Sequence, residues 1–377
     1  MLSVERFLIS EMKTIAKPWL AKLKRYEAGK PIEEVARELG FENADEIVKL
    51  ASNENSLGPS PLAVRAMKKA ACEMHRYPDS GAFYLKRALA EELNLQPEQL
   101  LVTNGSNETI EFIGHIFLGP GTEAVMADFS FAIYRLISEM FESRPVVVPM
   151  RNFTHDLKAM LAAVTPRTKA VFIANPNNPT GTVVTATEID DFMKEIPRHV
   201  VVVLDEAYIE LLPPEKQPDT LRHVRDGKKI IILRTFSKTY GLAGLRIGYA
   251  AAPAQGIELM EKIRQPFNVN AMALEAARAA LNDHAFVEKT RKIVQAGLKF
   301  FEEKFRKMGL EYIPSVANFM LVKVGSGRKV FEELQKERVI VRPMDGYGLP
   351  EYVRISVGKR TENLRCLQAL LRVLSTL

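Results

Sequence analysis

The chain has 377 residues, 47% of them apolar and 26% charged, the balance of a globular protein long enough for two domains. Its formal charge of +6 comes from 52 basic and 46 acidic residues that are interspersed rather than blocked, which argues against a nucleic-acid partner and leaves a positive field for small anions. Two cysteines, Cys72 and Cys366, are too few for a disulfide framework or a cysteine metal site, and charges interrupt every apolar run before the ~18 residues that a membrane span needs, so a cytoplasmic protein without membrane or metal is expected.

Residues 1–50 are polar and helical in pattern, with a break at Gly29-Lys30-Pro31 before IEEVARELG. The loop LASNENSLGPSP (50–61) follows, dense in Asn, Ser, Gly and Pro. Strands are then predicted at 100–103, 123–127, 145–149, 169–174, 200–206, 229–235 and 247–252, with helices between several of them at 61–75, 106–117, 131–143 and 185–196. Most of these strands are continuous apolar runs, as suits strands covered on both faces. The reading is an α/β domain over 51–270 with a mostly parallel seven-stranded sheet. From 271 a long helical region to 307 leads into strands at 317–324, 339–343 and 352–357 and a helix at 360–375. That predicts a smaller α+β domain over 271–377, joined by the segment 1–50.

In open α/β sheets, ligands sit at the carboxyl ends of strands. VVVVLDEAY ends in Asp205, Glu206 and Tyr208; a carboxylate after a buried apolar run is either a structural ion pair or cap, or the counter-ion of a buried cation. KIIILRTF leads through Ser237 to Lys238, which is either a plain loop residue or an amine whose lowered pKa suits it to imine formation. Arg246, eight residues on, is a surface arginine or a fork for a phosphate dianion. NPNNPTG (175–181) is a tight loop that also offers the amide of Asn178, and Gly105-Ser106-Asn107 opens a helix whose N–H groups either need an ordinary cap or bind phosphate.

The order of these stretches carries more than each alone. LASNENSLGPSP, RYPD, NGSNE, NPNNPTG, LDEAY, RTFSKTYGLAGLRIGY, VANFML and YVRISVG, running from about residue 29 to 358, resemble the fold-type I pyridoxal-phosphate aminotransferases, and within them the histidinol-phosphate branch. The resemblance implies pyridoxal 5′-phosphate as cofactor, with Lys238 as its Schiff-base lysine. It makes Asp205 the partner of the ring nitrogen, Tyr208 and Asn178 the partners of the ring 3′-oxygen, and Phe131 the stacking aromatic. Thr235, Ser237, Arg246 and the turn Gly105, Ser106 and Asn107 hold the cofactor phosphate, and Tyr77 of RYPD reaches the cofactor phosphate of a second subunit, which implies a homodimer. Substrate contacts fall on Arg354, Arg342 and Asn318, with Tyr26 supplied by the partner subunit.

Two positions depart from the family pattern. Its usual Pro-Thr-Tyr reads Phe129-Ser130-Phe131, so the stacking ring lacks a hydroxyl, and its GSDE reads GSNE, so Asn107 lacks a carboxylate. The implied reaction is amino transfer between L-histidinol phosphate and 2-oxoglutarate. An aminotransferase for aromatic amino acids and a decarboxylase of an O-phospho amino acid share these motifs. A ligand sensor of aminotransferase fold needs a DNA-binding domain, for which the residues before 50 are too few.

Overall fold

The computed structural model describes residues 15–25 and 29–377. At its centre Leu100–Thr103 (β1), Glu123–Ala127 (β2), Arg144–Val148 (β3), Thr168–Ala174 (β4), Val201–Asp205 (β5), Ile230–Thr235 (β6) and Gly248–Ala251 (β7) form a seven-stranded sheet in the order β1-β7-β6-β5-β4-β2-β3. All pairings are parallel except those that β7 makes with β1 and β6. Successive residues of a strand point to opposite faces, and here both faces are covered. Val102, Val171, Val202 and Ile232 enter one core cluster, while Leu101, Phe172, Val203 and Leu233 enter the other. Double coverage explains the continuous apolar runs. The edge strand β3 is the exception and leaves Val147 exposed.

The smaller half is built on Tyr312–Ile313 (β8), Phe319–Lys323 (β9), Arg342–Pro343 (β10) and Tyr352–Ser356 (β11), antiparallel in the order β10-β11-β9-β8. Its core joins Val35 and Leu50 of the N-terminal segment to Phe301, Phe305, Val330, Val353 and Leu370. The run expected as one strand at 339–343 divides. Val339–Ile340 pairs in parallel with Val48–Lys49, whereas Arg342–Pro343 turns to pair with β11.

The helical stretch expected over 271–307 also divides, into Ala271–Leu281 and His284–Lys307. Asp283 makes the break by accepting hydrogen bonds from the Phe286 N–H at 3.3 Å and the Ser60 hydroxyl at 2.6 Å. The alanines of AMALEAARAAL permit close approach, and Ala273, Ala276, Ala277 and Ala280 pack in the large core with Ala63. The large core thus takes in this helix through Leu281, and the small core takes in the next one from Val294. Among the described residues, no helix is long and apolar enough to cross a membrane and no cluster could hold a metal ion.

Candidate active site

Parallel winding brings the carboxyl ends of β1, β2, β4, β5 and β6 to one edge of the sheet, beneath the small domain. Asp205 closes β5 between Ala174 of β4 and Leu233 of β6. Its carboxylate is 6% exposed; Oδ2 accepts from the Tyr134 hydroxyl at 2.7 Å and Oδ1 from the Ala207 N–H at 3.1 Å. Burial pushes its pKa above the usual carboxylate range, an effect that these two bonds, and more weakly the Lys238 charge, oppose. A carboxylate so desolvated is best satisfied by a cation placed against it.

Tyr208, three residues on, is buried; its hydroxyl accepts from Asn53 Nδ2 at 3.0 Å, and burial pushes its pKa up to about 12. Lys238 follows β6, with its Nζ 5.7 Å above the Tyr208 ring and donating to the Ser52 carbonyl at 3.3 Å. Burial first, then the neighbouring Arg354 charge, lowers the Lys238 pKa to about 8. Its neutral amine is therefore well populated at mildly alkaline pH, as a nucleophile or proton acceptor requires.

A group of hydrogen-bond donors lies beyond Lys238. The helix Ser106–Phe117 begins where β1 ends, presenting its first N–H groups, with Gly105 as its cap at φ 78° and ψ 160°. A Cβ at Gly105 would stand 2.5 Å from Arg246 Nη2, so only glycine lets the guanidinium lie against the turn. Arg246 Nη1 is 3.5 Å from the Ser237 hydroxyl, which accepts from Thr235 Oγ1 at 2.9 Å. Helix amides, two hydroxyls and a guanidinium converge as a phosphate dianion requires.

A cationic face lies opposite, on the small domain. Arg342 and Arg354 are directly opposite on β10 and β11 and line the same cavity. Like charges in that register repel, and an anion between or beside them removes the penalty. Arg354 Nη1 donates to Asn178 Oδ1 at 2.5 Å and Nη2 to the Ala51 carbonyl at 2.8 Å, with the guanidinium 5.2 Å over Phe319. Phe131, edge-to-face with Tyr134 at 5.7 Å, forms another wall.

Of the residues singled out in the sequence, Lys238, Asp205, Tyr208, Asn178, Arg246, Thr235, Ser237, Ser106, Asn107, Phe131, Arg342 and Arg354 line one cavity of about 310 Å³. Gly105 lies behind its wall. Asn318 also stands behind the lining, donating to the Asn53 carbonyl at 3.0 Å. Tyr77 stands away from the cavity, 83% exposed and stacked on Phe267 at 4.7 Å. Tyr26 lies outside the described residues; Gly29, three residues on, lines the cavity.

Sequence reasoning missed Ser52, Asn53 and Tyr134. Asn53 has a left-handed backbone (φ 55°), and its N–H donates to Ser356 Oγ at 2.9 Å, tying the 50–61 loop to the small domain. An Asn in a Gly/Pro-rich loop is a signal for that conformation. Tyr134 sits within an amphipathic helix, and nothing in the spacing sets it apart from a core aromatic.

A family model for aminotransferases of class I and II matches residues 45–370. The chain belongs to the class I and II aminotransferase family. Among this aminotransferase's relatives, the histidinol-phosphate aminotransferase of Akkermansia muciniphila is 50% identical, over 96% of this chain and 99% of that one. Its counterpart in Moorella thermoacetica is 45% identical, over 94% and 92%. The crystal structure of histidinol-phosphate aminotransferase from Sinorhizobium meliloti, in complex with pyridoxal 5′-phosphate, superposes with a TM-score of 0.87 at 27% identity, covering 96% of this chain and 98% of that one. The aspartate aminotransferase of Thermus thermophilus, 22% identical with a TM-score of 0.82 over 95% of this chain and 99% of that one, shares the aminotransferase fold.

Proposed function

We propose that this aminotransferase uses pyridoxal 5′-phosphate to move the amino group of L-histidinol phosphate to 2-oxoglutarate, yielding imidazole acetol phosphate and L-glutamate. The observation that carries the reading is the facing pair Arg342 and Arg354 above the Lys238 amine. Two guanidinium groups suit both a phosphate monoester and the carboxylate of an amino acid, so one face can serve both half-reactions. Relatives at 45–50% identity over nearly the whole chain support the choice of donor.

The residues present fit pyridoxal phosphate. Asp205, raised in pKa by burial, suits a cationic ring nitrogen, and the seat at Gly105, Ser106, Asn107, Thr235, Ser237 and Arg246 suits the phosphate. Bound there, the cofactor would supply an electron sink for the carbon bearing the amine. Asp205 would hold the proton on the ring nitrogen, fixed in orientation by Tyr134 and the Ala207 N–H. Tyr208 and the amide of Asn178 would hold the ring 3′-oxygen. Since Asn178 Oδ1 already accepts from Arg354, its Nδ2 is the group left to donate, and substrate and cofactor contacts share one side chain. Phe131 would lie against the ring. Lys238 Nζ, which would carry the cofactor at rest, would then take the proton from the amine-bearing carbon and pass it on to the cofactor, a transfer between groups within hydrogen-bond reach.

The working unit in this reading is a homodimer. Tyr77, Phe83, Tyr84 and Phe267 are large exposed side chains, and the Ser80 hydroxyl, which accepts from the Phe267 N–H at 3.4 Å, ties the 77–84 turn to Phe267. Such a surface suits burial against a second copy, from which Tyr77 would reach the partner's phosphate seat.

The deciding experiment compares kcat/KM for histidinol phosphate, phenylalanine and tyrosine, each with 2-oxoglutarate. Preference for histidinol phosphate is expected; a higher value for the aromatic amino acids would overturn the donor, and carbon dioxide release without a keto acid would overturn the reaction.

A further inference from the structure

Beside the cavity that holds Lys238 lies a second one, of about 440 Å³, which shares Arg342 and Tyr347 with it. One wall belongs to the chain segment 17–25. Pro18–Lys22 forms a short 3-10 turn, and the indole N–H of Trp19 donates to the Met140 carbonyl at 3.0 Å, pinning the segment on the end of the helix Ala132–Met140. Held in this way, Lys22, Lys24 and Arg25 line the groove together with Arg135 and Arg342. Two acids share the lining, and both are engaged: Glu139 with Arg135 at 3.0 Å and Asp345 with Arg328 at 2.7 Å. Lys22, Lys24 and Arg25 are exposed and make no ion pair among the described residues.

Cations gathered around one groove repel one another and concentrate anions from solution. Because Arg342 belongs to both cavities, an anion in the groove is already beside the Arg342 and Arg354 face. We propose that this groove is a vestibule which binds the phosphate monoester of the amino donor before the donor reaches Lys238. The inference rests on the reading of the donor as a phosphorylated amine. A phosphate dianion gains twice the attraction of a single negative charge at the same distance, so the vestibule also favours the phosphorylated donor over the same amine without its phosphate. Its effect is on capture. Chemistry at Lys238 proceeds at the same rate once the donor is seated.

The test is the triple variant Lys22→Gln, Lys24→Gln, Arg25→Gln, purified with its full cofactor complement. At low ionic strength kcat/KM for histidinol phosphate is expected to fall roughly tenfold, through KM with kcat unchanged, and the loss to shrink to within about twofold at ~0.5 M salt. Unphosphorylated L-histidinol should lose less than about twofold throughout. Calorimetric titration of the holoenzyme with inorganic phosphate, whose cofactor seat is already filled, should show binding that the variant weakens severalfold. An unchanged kcat/KM for histidinol phosphate at low salt, an equal loss for both donors, or phosphate binding unaffected by the variant would overturn the vestibule. Preference of the wild-type protein for aromatic amino acids overturns the donor reading instead, and the phosphate titration distinguishes the two failures.

Discussion

Replacing Gly105 with alanine perturbs the proposed phosphate seat through two separable costs. The backbone at φ 78° and ψ 160° lies in a region that essentially only glycine occupies, so any side chain there costs about 1–3 kcal/mol of stability. The new Cβ would also stand 2.5 Å from Arg246 Nη2 and 3.2 Å from Cζ. The obstacle is the tip of a flexible side chain, so the fold survives and the guanidinium moves. Losing a charge-assisted hydrogen bond from Arg246 costs about 1.5–3 kcal/mol, which corresponds to roughly 10- to 100-fold weaker pyridoxal phosphate binding. The assay is the cofactor dissociation constant of the apoenzyme from absorbance or fluorescence titration. Gly227→Ala serves as the control, since Gly227 also has a positive φ (+68°) but nothing within 4 Å of its added Cβ. That variant should lose stability and keep its cofactor affinity. A Gly105→Ala protein that binds the cofactor within about twofold of wild type would refute the assignment of Arg246 and this turn to the phosphate.

Three further outcomes follow. Arg354→Ala should lower kcat/KM by roughly 100-fold, the equivalent of about 3 kcal/mol, while the cofactor content of the purified protein stays at wild-type level; loss of the cofactor would move Arg354 to cofactor binding. The rate at which apoenzyme takes up pyridoxal phosphate should rise with pH through a midpoint near 8 and level off above it, because the neutral Lys238 amine is the reactive form and its pKa is lowered to about 8; a midpoint in the ordinary lysine range of about 10.4 would contradict the lowered value. For Glu123, burial opposes ionisation, but hydrogen bonds from Thr165, Arg144 and Arg167 outweigh it and bring the pKa from 4.5 to about 2. A group depressed on folding stabilises above its unfolded pKa and loses that contribution as pH falls through the folded one. Glu123→Gln should therefore cost ~2 kcal/mol near neutral pH, allowing for the exposure of the two arginines, and the gap in unfolding temperature should close as pH falls from about 4.5 towards 2; a gap independent of pH would assign the loss to packing alone.

The large sheet was legible because burial on both faces writes itself as unbroken apolar runs, and β1 and β2 begin and end where the sequence places them. The helices Phe83–Leu93, Leu157–Ala162, Ala254–Ile263 and Gly327–Lys336 escaped it. Leu157–Ala162 spans fewer than two turns, and Gly327–Lys336 opens on glycine and is dense in charge. In the small domain, residues 339–343 formed one apolar run in the sequence, but two different strands compete for it, and only tertiary pairing decides where it divides. The site was legible where function departs from ordinary local chemistry, as with Asp205 after four valines and a leucine or Lys238 in a Ser/Gly loop. Tyr134 and Ser52 were not, since a core tyrosine and a backbone carbonyl look the same in sequence whether or not they touch a site. Tyr77 shows a third limit. A single chain leaves it exposed and stacked on Phe267, away from the cavity.

The central claim is that Lys238 carries pyridoxal phosphate in the cavity beneath Arg342 and Arg354. Borohydride reduction of the holoenzyme, followed by proteolysis and mass spectrometry, tests it most directly. The phosphopyridoxyl mass should appear on the peptide that contains Lys238 and vanish in Lys238→Ala. Labelling of another lysine in the wild-type protein, or none at all, would contradict the claim.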